Sequence, residues 1–415
     1  MRSNFFFKPC SLTDVIIRRR VLGIGSGAHF VHDGISGVLI LLLPVWQVEF
    51  ALSLTQVGII RSAYSGAMAL FQVPAGLLAE RWGERILLCA GTILTGLAYL
   101  TLGFAGGFFA LTVLLLAGGL GSTVQHPLSS SIISRVYEQG PRRTALGIYN
   151  FSGDLGKMVL PFLAAILIAG YEWRWATAGV GIFGILAGVV AYLLLINIRE
   201  GSPIEVSNRV NSHRTPGNKR KKGWGISDRT GFRALSIIGI IDGAGRSGFL
   251  TFLPFLLIEK GAQVEIIGFA LSLAFVGGAT GKFFCGMLAE KFGIIRTVVL
   301  TEAITGIGIL VLLPISLNWS LALLPLIGMG LNGTSSVLYG TVSDFVESDR
   351  QARGFGLFYT LSVGGSALAP FAFGLISDVS GVSLTLCLVA LLTLITIPIC
   401  RFLIQPIKKI QEKAV

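Results

Sequence analysis

Ionisable side chains are scarce inside the apolar stretches of this 415-residue chain, and most of those that occur sit in short-range sets. Asp33 follows His29 by one helical turn, so a carboxylate and an imidazole stand on one helix face and can share a proton. That chemistry suits proton coupling, and a structural hydrogen bond between helices is the alternative. His32 points about 100° away round the same helix. Gln125-His126-Pro127 lies deep in a later stretch. Pro127 has no N–H to give and leaves the carbonyl of Thr123 without its usual partner. His126 is the best single candidate to touch a solute or relay a proton, with packing beside a kink as the alternative. Asp154 and Lys157 are spaced i, i+3; Asp242 and Arg246 are spaced i, i+4 in the acid-first order that helices favour. Each pair is either a fixed ion pair or one that a solute or proton opens. Gln125, His126, Asn150, Lys157, Arg246 and Tyr359 form the candidate solute-binding set, and His29, Asp33, Asp154 and Asp242 the proton-coupling set. Arg61 and Lys282 have no obvious local partner. Lys282, one turn before Gly286, reads as a brace for a gate, and Glu302 as structural.

Such groups need elements that tolerate them. A charge at the bilayer centre costs from about 2.5 to over 10 kcal/mol, so it faces a wet cavity or a partner. The composition places these residues in a membrane: 53% of the chain is hydrophobic and 13% charged, against about 25% charged in soluble domains. A spanning helix needs about 20 mainly apolar residues. Twelve stretches qualify, at 21–48, 55–79, 86–104, 109–133, 144–169, 175–197, 232–258, 264–289, 295–315, 319–343, 354–377 and 383–404. They leave no soluble domain to carry an enzyme activity.

The one long polar segment, 199–231, is rich in Pro, Asn and Lys and contains Lys219-Arg220-Lys221-Lys222. It reads as a cytoplasmic linker between two groups of six helices, 1–198 and 232–415, with partner binding through the Lys219–Lys222 cluster as the alternative. Most of the 33 Lys and Arg residues lie in the tails and the even-numbered loops, and only Arg174 and Lys260 in the odd-numbered ones. Both termini are therefore expected in the cytoplasm of a cell whose inner (plasma) membrane holds the protein. The net charge of +12 then faces anionic lipid, and no nucleic-acid partner is expected. Arg18-Arg19-Arg20 before the first span resembles the start of a secretion signal, but the apolar run is too long and carries His29, His32 and Asp33. The five scattered cysteines show no metal-ligand or CxxC spacing, and neither a nucleotide loop nor a nucleophile elbow occurs. No cofactor or metal is expected, and energy must come from an ion or solute gradient.

The halves repeat. Gly76-Leu-Leu-Ala-Glu80-Arg81-Trp-Gly83-Glu84-Arg85 returns as Gly286-Met-Leu-Ala-Glu290-Lys291-Phe-Gly293-Ile-Ile-Arg296. Gly147-Ile-Tyr-Asn-Phe…Pro161-Phe162 returns as Gly356-Leu-Phe-Tyr-Thr…Pro370-Phe371, and Gly119-Leu-Gly121-Ser-Thr as Gly330-Leu-Asn-Gly333-Thr-Ser. Glycines also recur at close-packing spacing, as in Gly153/Gly156 and Gly277/Gly281, with Gly364/Gly365 adjacent. Parallel six-helix repeats with a solute site between them are one of the known transporter plans. The charged turns would latch helix ends in one conformation and release them in the other, with Gly76, Glu80, Arg81, Gly83 and Arg85 in one copy and Gly286, Glu290, Lys291, Gly293 and Arg296 in the other. Exposed pairs worth roughly 0–1 kcal/mol can bias such an equilibrium without locking it.

The repeated turn resembles the loop signature of the major facilitator superfamily, with Glu80 in place of the common Asp and Glu84 where a base is often found. Ala28-His29-Phe-Val-His32-Asp33, Gly121-Ser-Thr-Val-Gln125-His126-Pro127 and Phe151-Ser-Gly153-Asp154-Leu-Gly156-Lys157 are similar to the fosmidomycin-resistance efflux family. The resemblance implies an all-α membrane protein of twelve helices in two pseudo-symmetric bundles, and drug or phosphonate efflux. The expectation is a monomeric, proton-coupled exporter of a small polar or anionic compound. Uptake of an organic anion by proton symport and a non-transporting membrane sensor are the other readings.

Overall fold

Asp228 sets the start of the second half: its side chain accepts the Gly231 N–H at 2.8 Å, and the helix behind it begins at Arg229, three residues before the expected 232. The computed structural model describes residues 12–138, 141–196, 224–347 and 351–414; most of the linker, including Lys219–Lys222, lies outside them. The described residues form α1 (Leu12–Glu49), α2 (Leu54–Trp82), α3 (Glu84–Leu102), α4 (Phe108–Ser122), α5 (Gln125–Val136), α6 (Arg142–Gly170) and α7 (Trp173–Leu195) in the first half. The second half has α8 (Arg229–Glu259), α9 (Val264–Phe292), α10 (Ile294–Leu312), α11 (Leu317–Val342), α12 (Gln351–Ile399) and α13 (Arg401–Ala414). Helix is the form that satisfies every backbone polar group within one segment, as hydrocarbon requires.

Among the described residues, ten segments are long and apolar enough to cross a membrane. One of them, Gly354–Lys408, has 55 residues and contains a break at Gly381 (φ 79°), so it crosses twice. The 29-residue α2, which carries Arg61, completes twelve crossings; at 1.5 Å per residue it spans about 43 Å. The protein is thus an all-α, multi-pass membrane protein. The stretch 109–133 forms one span, Phe108–Val136, with an interruption in its hydrogen bonding between α4, which ends at Ser122, and α5, which starts at Gln125. The break falls at Thr123, the residue whose carbonyl Pro127 leaves unpaired.

The duplication is visible in the geometry. α2 and α9 both have 29 residues, and α3 and α10 both have 19. Between them Gly83 (φ 84°, ψ 146°) and Gly293 (φ 90°, ψ 150°) take the same left-handed turn, which favours glycine. Within the halves α1 packs on α6 as α8 packs on α12, and α2 packs on α4 as α9 packs on α11. Small residues bring backbones together: Gly156 lies against the backbone of Phe30, and Gly281 against that of Met329. The halves meet along two equivalent seams. Gly58 of α2 abuts the carbonyl of Pro370 in α12, and Gly268 of α9 abuts that of Pro161 in α6. Large apolar side chains such as Phe109, Leu193 and Phe283 are exposed on the periphery, where lipid covers them.

Candidate functional site

Asp33, in the middle of α1, is the centre of a polar cluster in the first half. It is 4% exposed, as a carboxylate can be only with partners close by. His32 Nδ1 lies 3.0 Å from Oδ1, and His126 Nε2 of α5 lies 3.6 Å from the same oxygen. Oδ2 faces His29 Nε2 at 3.3 Å and Lys157 Nζ of α6 at 2.5 Å. Three of the chain's four histidines therefore converge on one acid. His29 Nδ1 is 2.8 Å from the Tyr149 carbonyl, which can only accept, so its N–H sits on Nδ1 and its lone pair on Nε2. That Nε2 is buried, and although close to Asp33 it is not aligned for a hydrogen bond. The His29 ring stacks on Tyr149 at 4.1 Å and meets the His126 ring edge-on at 5.0 Å. Gly153 permits this, because a Cβ there would fall 2.6 Å from the His29 ring and 2.8 Å from Asp33 Oδ2.

His32 stands about 100° round the helix from Asp33, yet its Nδ1 bonds the Asp33 carboxylate at 3.0 Å. Asp154 and Lys157 are only 3.9 Å apart, at the limit of pairing. Each has a better partner: Lys157 reaches back to Asp33, and Asp154 accepts from Lys282 of α9 at 2.6 and 2.8 Å. Lys282 is thus an ion-pair bridge between the halves. Asp242 and Arg246 do pair, at 3.3 Å. Gln125 is buried, its amide donating to Ser129 Oγ at 3.2 Å and its Oε1 unpartnered. Asn150 is exposed, and Tyr359 lies 5.9 Å from the Tyr339 ring. The side chains of His126, Lys157, Arg246 and Lys282 are 31, 26, 24 and 34% exposed, although all four residues lie inside membrane-length segments. Two side chains from each half are thus partly accessible within the spans.

The repeated turns hold no ion pair in this conformation among the described residues that involves Arg81, Glu290, Lys291 or Arg296, all of which are exposed. The side chain of Glu80 lies outside the described structure. Arg85 donates to the carbonyls of Leu195 and Ile196 at 3.0 and 2.9 Å, capping α7 within its own half. Gly76 and Gly286 have open space where a Cβ would stand. A second acid, Glu84, makes the local bond instead, to Arg135 and to Ser131 Oγ at 2.8 Å. The recess of about 460 Å³ beside it, lined by Ser131, Arg135 and Arg142 among others, is remote from Asp33.

The far end of the molecule, away from Gly83 and Gly293, is where the halves close. The N-terminus of α2 leaves four N–H groups to satisfy. Ser53 and Gln56 satisfy two reciprocally, each side chain accepting the other's backbone N–H. The remaining two, on Leu54 and Thr55, donate to Asp378 of α12 at 2.7 and 2.9 Å. Nothing in the sequence reading pointed to Asp378; the available signal was a lone acid just after the eleventh span. The other seam carries the Ser272 hydroxyl donating to the Met158 carbonyl at 2.5 Å.

The sequence pattern described as Major Facilitator Superfamily matches residues 25–229 and 235–414. The chain is 27% identical over 381 residues to the fosmidomycin resistance protein of Escherichia coli (strain K12), covering 90% of each. It is 23% identical over 360 residues to the hexuronate transporter of Bacillus subtilis (strain 168), covering 81% of this chain and 83% of that one. A bacterial homolog of the human lysosomal transporter Spinster, solved inward-facing and unoccupied, superimposes with a TM-score of 0.74 at 16% identity, covering 94% of this chain and 98% of that one.

Proposed function

The chain belongs to the major facilitator superfamily, and on that footing we propose a proton-coupled secondary transporter that exports a small polar or anionic compound by alternating access. The observation that carries the proposal is the relay Asp33–Lys157–Asp154–Lys282, which runs from the buried carboxylate to the opposite half. A proton on Asp33, shared with His29 Nε2, takes away the negative partner of Lys157. The ammonium then turns to Asp154, 3.9 Å away, and competes with Lys282 for it. Protonation in one half thereby loosens the contact with the other, which is what coupling requires. Lys157, Arg246 and His126 supply positive or donor groups for an anion at the same level, with Gln125, Asn150 and Tyr359 around it. Efflux is supported by the fosmidomycin resistance relative. The termini and linker face the cytoplasm of the inner membrane, so the far-end seams make this the inward-facing state, and the exposed Arg81, Glu290, Lys291 and Arg296 are latches released in it.

A second reading, uptake of an organic anion by symport, is favoured by the hexuronate transporter relative. Vesicles reconstituted with the purified protein separate the two. An acidic lumen drives fosmidomycin accumulation by an antiporter, whereas an alkaline lumen drives hexuronate accumulation by a symporter. In either case Asp33→Asn abolishes gradient-driven accumulation in a protein that still folds. Gradient-driven flux at the wild-type rate in that variant removes Asp33 from the mechanism.

A further inference from the structure

His29, Asp33 and His126 offer three ligand atoms that all lie within 4.8 Å of one another, drawn from helices α1 and α5. A tetrahedral zinc ion with bonds of about 2.0–2.1 Å needs its ligand atoms roughly 3.3–3.4 Å apart. His29 Nε2 lies 3.3 Å from Asp33 Oδ2 and His126 Nε2 lies 3.6 Å from Asp33 Oδ1, so each imidazole stands near that distance from one of the two carboxylate oxygens. A turn of the His126 ring, whose side chain is 31% exposed, brings both imidazoles to one oxygen.

Four further features belong to a ligand site more than to a packing cluster. The lone pair of His29 is aimed inward by the bond from Nδ1 to the Tyr149 carbonyl, which is how metal-binding imidazoles are oriented. Its Nε2 is a buried polar atom with no hydrogen-bond partner on a residue 2% exposed. His32 bonds Asp33 Oδ1 at 3.0 Å and holds the carboxylate in place from outside the trio. The cation now nearest Asp33, the Lys157 ammonium at 2.5 Å, has an alternative acid in Asp154 at 3.9 Å, so it can leave when a stronger cation arrives.

From this geometry we propose that the cleft holds a binding site for a divalent first-row transition ion, Zn²⁺ foremost, formed by His29 Nε2, a carboxylate oxygen of Asp33 and His126 Nε2. The fourth position opens to the cleft, where His126 and Lys157 are accessible. Two imidazoles and one carboxylate suit Zn²⁺ or Co²⁺, while an all-oxygen set would suit Mg²⁺ or Ca²⁺. The ion replaces Lys157 as the counter-cation of Asp33 and occupies the carboxylate that the transport reading assigns to the proton. It therefore inhibits transport from the cleft side.

The test is metal binding itself, so it does not depend on the transport reading. Full-length protein in detergent, freed of any histidine tag, is titrated with Zn²⁺ by calorimetry and with Co²⁺ by visible absorption. One saturable equivalent with a Co²⁺ d–d spectrum is expected, unaffected by Mg²⁺ or Ca²⁺. His126→Gln is expected to weaken Zn²⁺ binding by about 100-fold, since losing even an outer-shell partner costs roughly 10–100-fold. His213→Ala, the remaining histidine, leaves it unchanged. His29→Ala should abolish the spectrum; should that variant fail to fold, His126→Gln carries the test alone. Binding of wild-type strength in His126→Gln, an absent Co²⁺ spectrum, or equal binding of Ca²⁺ overturns the proposal.

Discussion

Asp378 offers the sharpest handle on how the far end stays closed. Its carboxylate accepts the two N–H groups of α2 that the Ser53–Gln56 capping box leaves over, and it reaches them from the other half. When the far end opens, those donors go to water, so the contact favours the closed seam alone. A helix cap of this kind is worth about 1 kcal/mol, and the charge facing the helix N-terminus adds roughly 0.3–1 kcal/mol. With about 1.4 kcal/mol per factor of ten, Asp378→Ala shifts the open-to-closed ratio at the far end by roughly ten- to thirtyfold. Asp378→Asn keeps an acceptor and loses only the charge, so it shifts the ratio by roughly two- to fivefold. Spin labels at Phe104 and Val379, which are 87 and 88% exposed at the far end of opposite halves, report the distance by double electron–electron resonance in a cysteine-free background. The expected order of far-end opening is Ala, then Asn, then wild type. An Asp378→Ala distance distribution identical to wild type, in protein of unchanged stability, would refute the assignment of Asp378 as a latch.

Three other outcomes follow from the same geometry. Asp33→Asn stops gradient-driven accumulation in vesicles while leaving solute counterflow measurable. Lys282→Gln strands Asp154 beside a Lys157 already committed to Asp33; removing one partner costs about 3–5 kcal/mol in a buried pair and about 0–1 kcal/mol in an exposed one. The 34% exposure of Lys282 puts the loss between them, and thermal unfolding of Asp154→Asn, Lys282→Gln and the double variant reads it; strictly additive losses would show that the two do not interact. Gly153→Ala drives a methyl into His29 and Asp33 and destabilises by about 1–3 kcal/mol, whereas Gly147→Ala on the same helix, with open space around it, does not; equal melting temperatures for the two would contradict the close approach.

The sequence carried the fold because each level of it agreed: span length, basic-loop asymmetry, and a turn repeated with its glycine. Gly83 and Gly293 were legible since a left-handed turn between two helices leaves little choice of residue. The break before Gln125 was legible from Pro127. The partners of the charged residues were less so. Helical spacing finds neighbours on one helix, and it correctly joined Asp242 to Arg246 and His29 to Asp33. It also offered Lys157 to Asp154, when a long side chain on a helix packed through glycines reaches the next helix as easily as its own. No spacing rule places His126 of α5 or Lys282 of α9 beside the residues they meet, because those meetings are made by packing. For the same reason a metal-ligand pattern was absent from the sequence while a His–Asp–His trio is present in the fold.

Duplication explains why two seams exist and why they need not do the same work. Both bring a glycine of one helix onto the carbonyl of a helix proline in the other half, Gly58 on Pro370 and Gly268 on Pro161. Past that shared contact the copies have diverged. The α2–α12 seam is closed by a carboxylate on a helix end, an interaction with no link to Asp33 among the described residues. The α6–α9 seam carries Lys282 to Asp154 and, through Lys157, reaches Asp33. On the proposals above, a proton or a metal ion at Asp33 therefore acts on one seam directly and on the other only through the rigid motion of the halves. Charge reversal at the first seam, Asp378→Lys, should then change the conformational ratio equally at every pH at which the Asp378 carboxylate is ionised, while Lys282→Gln should change how that ratio depends on pH. Identical pH responses of the Phe104–Val379 distance in the two variants would mean that the seams are not specialised in this way.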